Sequence, residues 1–227
     1  MTPKTTTAVL LAAGRGSRMR ELTQNMPKPL LKVGHRTLLE HHLVCLRDQG
    51  FKQVIINTAY FGEKIQQHIG DGNEFELEIK YSDESATGAL ETAGGLRHAL
   101  DLINSDPFIV INADIYTDFN FVDLLSPLTS NPLCLGRLVL VDNPSHNPDG
   151  DFPTRAKEKE NNTFSGIALY RKSMFEKLNQ GKQPLGPILK TMIANEQLDT
   201  IDHFGQWTDV GTPERLAQLN ADIQTAK

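Results

Sequence analysis

The chain has 227 residues and a formal net charge of -5, with 39% hydrophobic and 22% charged residues. This is enough for one large domain or two small ones with a real core, and it excludes a disordered or low-complexity chain. The acidic balance argues against a nucleic-acid polymer as the main partner, though not against a nucleotide. No apolar run approaches the roughly 18 residues of a membrane helix. Met1-Thr2-Pro3-Lys4 lacks the apolar segment and cleavage site of a signal peptide. Cys45 and Cys134 sit in apolar runs without metal-spaced neighbours, as buried reduced thiols do, so a cytoplasmic protein is expected.

The first predicted element is an apolar strand, Thr6 to Leu11. It runs into Ala12-Ala13-Gly14-Arg15-Gly16-Ser17-Arg18-Met19, and Pro27-Lys28-Pro29 follows. Small residues let the backbone approach a ligand. Exposed N–H groups with Arg15, Arg18 and Lys28 nearby suit a phosphate chain. Thr37-Leu38-Leu39-Glu40 reads as a capping box that opens a helix over Leu38 to Asp48, with Gly50 ending it. Val54 to Asn57 is a short continuous apolar strand, as expected when both faces of a sheet are covered. A helix is predicted over Gly62 to Ile69 and an alternating strand over Phe75 to Tyr81.

Gly88 to Gly95 is a second glycine-rich stretch, opening a helix to about Ile103. Phe108 to Ile111 is the strongest strand pattern, with Asn112-Ala113-Asp114 at its end. A short helix over Phe121 to Leu125 stops near Pro127, and Asp118 fits as its cap. A strand over Leu135 to Val141 precedes Asp142 to Asn162, a proline-containing loop or hairpin. Its charge run, Arg155 to Glu160, reads as a solvated tip. Strand Thr163 to Tyr170, helix Leu185 to Asn195, and strands Leu198 to Asp202 and Gln206 to Val210 follow. Thr212-Pro213-Glu214 starts the last helix. The alternation predicts an α/β fold, a mostly parallel mixed sheet flanked by helices, with ligands beyond the carboxyl ends of the strands.

Gly14-x-Gly16 fails as a dinucleotide fingerprint, because Met19 stands at the third glycine position and Asn57, not an acid, ends the next strand. It also fails as a P-loop, since no Gly-Lys-Ser/Thr follows. What remains is a loop able to wrap a triphosphate, set against the plainer reading of a strand-to-helix turn with surface arginines. Asp114 and Asp209 both end strands. Should they meet, they make a hard oxygen site of the kind magnesium favours with substrate phosphates. The histidines, including His41-His42, have no partner at ligand spacing and read as solvated or capping.

Taken together, Leu11 to Met19 and Pro27-Lys28-Pro29-Leu30 resemble the sugar-1-phosphate nucleotidyltransferase family, with Ala113 where that family carries glycine before Asp114. Leu90-Glu91-Thr92-x-Gly94-Gly95, Gly150-Asp151-Phe152, Thr163 to Ile167 and Trp207-x-Asp209-Val210-Gly211-Thr212 are similar to its uridylyltransferase branch of peptidoglycan recycling. Ala93, in place of a glycine, is a departure. The resemblance implies a single Rossmann-like domain of the nucleotide-diphospho-sugar transferase type over 1–227. The nucleotide-binding half would span about 1–115 and the sugar-binding half about 116–227.

The resemblance also implies roles. Ala12, Ala13, Gly14, Arg15 and Gly16 would hold the nucleotide, and Arg18 and Lys28 would neutralise phosphate oxygens. Glu91 and Thr92 would reach base and ribose, and Asn112 the ribose or sugar phosphate. Asp151, Ser165 and Gly166 would line the sugar pocket, and Asp114 and Asp209 would hold Mg²⁺. The implied substrates are UTP and a sugar 1-phosphate, with no membrane partner, and the implied state is a monomer or small homo-oligomer. Guanylyl, thymidylyl or cytidylyl transfer, a non-catalytic nucleotide-sugar sensor and a Rossmann oxidoreductase stand as alternatives.

Overall fold

The computed structural model describes residues 1–128, 133–154 and 160–225. Its strands are β1 (Thr7–Leu11), β2 (Lys32–Val33), β3 (Arg36–Thr37), β4 (Gln53–Thr58), β5 (Glu78–Asp83), β6 (Phe108–Asn112), β7 (Ile115–Thr117), β8 (Gly136–Val141), β9 (Phe152–Pro153), β10 (Asn161–Tyr170), β11 (Leu198–His203) and β12 (Trp207–Asp209). Its α-helices are α1 (Leu38–Asp48), α2 (Gly62–Ile69), α3 (Glu91–Ala99), α4 (Ser173–Glu176), α5 (Leu185–Ala194) and α6 (Pro213–Thr225). The main sheet runs β11-β8-β10-β6-β1-β4-β5, with β9 pairing β10. All its pairs are parallel except those of β10, which runs antiparallel to β6, β8 and β9. This is the mostly parallel mixed sheet expected.

The sheet is covered on both faces. One layer gathers Leu10, Leu43, Leu46, Ile56 and Ile111, the other Val9, Leu96, Val110, Tyr170 and Phe175. Residues that alternate along β1 and β6 therefore enter opposite layers, which is why these strands read as unbroken apolar runs. A smaller cluster of Met19, Leu31, Val33, Leu38, Val210 and Leu219 ties the N-terminal loops to α6.

The helix α1 has the capping box the sequence predicts. The Thr37 hydroxyl accepts from Glu40 N at 3.2 Å, and Thr37 N donates to the Glu40 carboxylate at 2.6 Å. Thr37→Ala removes one of these partners. It should cost about 1 kcal/mol in urea unfolding with the folded spectrum unchanged.

Several details depart from the sequence expectations. The strand predicted over Phe75 to Tyr81 starts at Glu78, because Asn73–Phe75 forms a 3-10 turn after the left-handed Gly72. The turn Phe121–Leu125 is a 3-10 helix capped by Asn120, whose side chain accepts from Val122 N. Asp118 instead pairs with His203 at 3.0 Å. The hairpin of Asp142 to Asn162 is present as β9–β10, while the charged tip 155–159 lies outside the described residues. Cys134 is buried and Cys45 half-buried, and both are free thiols.

Candidate active site

Strand register decides where the cleft forms. Leu11 lies opposite Asn57 on one side and Asn112 on the other, so β1, β4 and β6 finish level. The chain passes from β1 outward through β4 and β5, then crosses to β6 on the other flank of β1. The carboxyl ends of β1 and β6 are therefore the switch point where such sheets open a crevice. Ala12 N donates to Asn57 O at 3.0 Å and Ala113 N to Leu11 O at 3.1 Å, which extends the ladder one residue before the chains splay.

A cleft of about 430 Å³ opens there. Ala12, Ala13, Gly14, Arg15, Gly16 and Arg18 from the first loop, Lys28, Glu91, Thr92, Asn112 and Asp114 all line it. Gly16 takes a left-handed conformation (φ 63°), and a Cβ there would stand 3.0 Å from Lys28 Cβ. Glycine thus lets Lys28 pass beneath the loop. Met19, fully buried, anchors the far end of the loop in place of the third glycine of a dinucleotide fingerprint. The Arg15 guanidinium sits over the Tyr60 ring at 5.3 Å. Glu91 opens α3 with a left-handed backbone (φ 64°), a costly conformation for a residue with a side chain, held at the cleft wall.

Lys28 is buried, and its ammonium donates to Asp114 Oδ2 at 2.5 Å. The Asp114 side chain stays 35% exposed, so one face of this pair is open to the cleft. Asp209 comes from the other half of the chain. It pairs in register with Ile115 across β12 and β7, and Val210 N donates to Asp114 O at 3.0 Å. Its Oδ2 accepts from Arg215 Nη1 at 2.8 Å, with His146 Nε2 3.5 Å away. Its Oδ1 lies 3.0 Å from where a Cβ on Gly211 would stand; Gly211 lines the cleft, whereas Asp209 is not among the residues that line it. The two acids therefore stand on adjoining backbone. Their hard oxygen donors suit a small divalent cation that completes its shell with water and substrate phosphate. Among the described residues no group of three acid, histidine or cysteine side chains forms a closed metal cage, so any such ion depends on outside ligands.

The other expected sugar-side residues lie outside the cleft lining. Ser165 is buried in β10, where its hydroxyl donates to Val139 O at 2.8 Å and accepts from Ile167 N at 3.1 Å across a bulge. Gly166 (φ 82°) abuts Asn112: a Cβ there would fall 2.6 Å from the Asn112 amide nitrogen. Asp151 Oδ2 accepts from Phe164 N at 2.9 Å and Asn147 Nδ2 at 3.2 Å, fixing the hairpin mouth.

Asn57 and Glu84 are among the cleft residues that escaped the sequence reading. Glu84 is buried and accepts from the Asn57 amide and, at 2.7 Å, from Leu90 N, so it pins the stretch that leads to Glu91. A Cβ on Gly95 would strike the Glu84 carboxylate. The glycine-rich stretch was the available signal, since it makes room for a polar group that lies distant in sequence.

His35, His68, His98 and His146 are exposed, as expected of solvated rings, and only His42 among the histidines is buried. His68 faces Glu40 at 3.0 Å, His98 faces the Ser82 hydroxyl at 3.1 Å, and His42 is buried with Nε2 2.9 Å from Ile115 O. Burial pushes the His42 imidazole down from 6.5 to about 4, against the pull of the Ile115 carbonyl. A folded-state value below the unfolded one means the neutral ring stabilises the fold above pH ~6.5, and that contribution fades as pH falls toward ~4. Urea unfolding across this window should show the wild type losing roughly 1–3 kcal/mol more than His42→Gln, which cannot titrate.

A nucleotidyl transferase family model matches residues 7–148. The chain is 42% identical, over 94% of its length and 96% of the relative's, to an N-acetylmuramate alpha-1-phosphate uridylyltransferase of Neisseria meningitidis. It is 29% identical to a mannose-1-phosphate guanylyltransferase catalytic subunit beta of Drosophila pseudoobscura, covering 92% of this chain but 60% of that one. A crystal structure of HddC from Yersinia pseudotuberculosis with GMP-PN superposes at a TM-score of 0.78 and 20% identity, covering 96% of this chain and 99% of that one, which is likeness of fold. With the loop, the buried lysine and the acid after β6 all in one crevice, the chain belongs to the nucleotidyl transferase family.

Proposed function

We propose that this enzyme transfers a uridylyl group from UTP to N-acetylmuramate α-1-phosphate, giving UDP-N-acetylmuramate and pyrophosphate. The full-length 42% identity to the Neisseria uridylyltransferase carries this reading, and the cleft chemistry supports it. The setting is cytoplasmic, as a step of peptidoglycan recycling. Among the described residues no helix is long and apolar enough to cross a membrane.

The sugar-phosphate oxygen attacks the α-phosphorus in line, a new P–O bond forms, and the bond to the β-phosphate breaks to release pyrophosphate. The nucleophile is already ionised, so no general base is required. The first-loop N–H groups, Arg15 and Arg18 hold the triphosphate, and Lys28 offsets charge on its oxygens. Glu91 and Thr92 face base and ribose, while Asn112, set by Gly166, faces the ribose or the sugar phosphate. Asp151, Ser165 and Gly166 shape the sugar side, with Ser165 acting through the β10 bulge because its hydroxyl is engaged. Asp114 and Asp209 would hold Mg²⁺, which when bound supplies charge neutralisation on the phosphates. On this reading about 1–115 is the nucleotide half and about 116–227 the sugar half.

The test is a panel of UTP, GTP, dTTP and CTP against N-acetylmuramate, mannose and glucose 1-phosphates, with choline phosphate added, scored by pyrophosphate release. UTP with N-acetylmuramate 1-phosphate should lead in kcat/KM by at least about tenfold. A lead by GTP with mannose 1-phosphate would replace the proposed specificity and leave the reaction class intact. UTP binding without product would favour a sensor.

A further inference from the structure

β7 has three residues and pairs only with β12 in its two-stranded sheet, yet it begins one residue after Asp114 and carries the register partner of Asp209. A ladder this short has few bonds to fix its position. A second cavity of about 330 Å³ lies against Tyr116 and Thr117, so this flank of β7 is not closed by packing. Beyond the ladder and the flanking bonds Val210 N to Asp114 O and Asp118 N to Gln206 O, β7 receives a bond from α1. His42 is 2% exposed, and its Nε2 meets the Ile115 carbonyl oxygen at 2.9 Å. A carbonyl only accepts, so Nε2 carries the proton. The neighbouring His41 adds to the grip: its ring meets Val33 O at 2.8 Å and stands edge-on to Tyr116 at 5.1 Å. Consecutive histidines on a capped helix thus contact β7 at Ile115 and Tyr116.

We infer that His42 is a positioning residue for the reaction: by holding the Ile115 carbonyl it sets where the Asp114 and Asp209 carboxylates stand relative to each other and to the cleft. The inference rests on the reading of those two acids as the metal- and phosphate-facing pair. His42 touches neither substrate nor reacting atoms, so its removal should be felt in turnover and in metal affinity rather than in nucleotide capture.

The experiment compares wild type, His42→Phe and His42→Gln by steady-state pyrophosphate release and by Mn²⁺ binding followed by EPR. His42→Phe should lower kcat by about tenfold or more, leave KM for UTP within about threefold, and weaken Mn²⁺ binding about fivefold. His42→Gln, whose Nε2 can replace the ring Nε2–H, should recover most of both. An unchanged His42→Phe, equal damage in both variants, or a loss confined to KM would overturn the inference. Should His42→Phe fail to fold, ¹⁵N NMR of the wild-type ring decides. A ring protonated on Nε2 whose signal moves on adding Mg²⁺ and UTP supports it, and a ring protonated on Nδ1, or one insensitive to both additions, overturns it. Failure of the underlying reading shows in the wild type alone: if Asp114→Asn and Asp209→Asn leave Mn²⁺ binding intact, the assignment of the acids falls and takes this inference with it.

Discussion

Asp114→Asn should reduce kcat by about a hundred- to a thousandfold while the protein stays folded. The carboxylate stands at the end of β6, shared between the buried Lys28 ammonium and the open cleft. Asparagine keeps an oxygen for Lys28 but removes the charge. The lysine is then left less well compensated, and an approaching cation loses a hard ligand. On the proposed function both losses act where phosphate charge is reorganised, so turnover suffers more than folding. Circular dichroism and urea unfolding should show a change of about 1–2 kcal/mol at most. Near-normal turnover with Mg²⁺ would remove Asp114 from the reaction. Lys28→Ala, which deletes the other half of the pair, should weaken both nucleotide binding and turnover, because on the proposed function the charge it removes from the cleft lining faces the triphosphate.

The second large effect concerns stability. Asp199→Ala should destabilise the fold by about 3–5 kcal/mol. Asp199 and Arg137 are register partners on β11 and β8, with side chains 2% and 6% exposed. Asp199 Oδ2 accepts from Arg137 Nε at 3.1 Å and Nη2 at 2.9 Å. The remaining guanidinium hydrogens go to Leu124 O, Ser126 O, the Ser126 hydroxyl and Pro127 O. Removing the acid leaves a buried cation whose other partners are neutral. The pair lies near the amino ends of its strands, away from the cleft. Folded Asp199→Ala should therefore keep its kcat, and the loss should appear in the urea midpoint. An unchanged midpoint would show that the pair contributes nothing net. The double change Arg137→Met with Asp199→Leu should recover most of the loss.

Much of this was legible in sequence because it is local. The capping box, the glycine loop and the apolar runs of β1, β4 and β6 each express a short-range rule, and Asp114 announces itself by ending a buried strand. Misreadings arose where distant residues decide. Ile115–Thr117 has no strand signature of its own and becomes β7 because Trp207–Asp209 lies alongside it. Asp118 resembles a cap in sequence, but His203 draws it away and leaves the role to Asn120. Glu84 sits in a polar stretch whose burial depends on Asn57 and on the room left at Gly95. His42 follows a histidine that is only half-buried, and nothing in the helix pattern distinguishes the one that points at β7. The partners of Asp151 and Ser165 were not legible either, because Asp151 accepts from Phe164 N and the Asn147 amide and Ser165 bonds to backbone across the β10 bulge.

The reversed direction of β10 has a consequence for how the chain is made. Until residue 170 has emerged from the ribosome, Phe108 to Asn112 presents an unsatisfied row of amides and carbonyls on one flank, since its neighbour there is β10. The family match ends at residue 148, before that neighbour begins. A fragment cut at that boundary would carry the glycine loop and Asp114 beside an open, sticky border, and aggregation rather than partial activity is the expected fate of such a truncation.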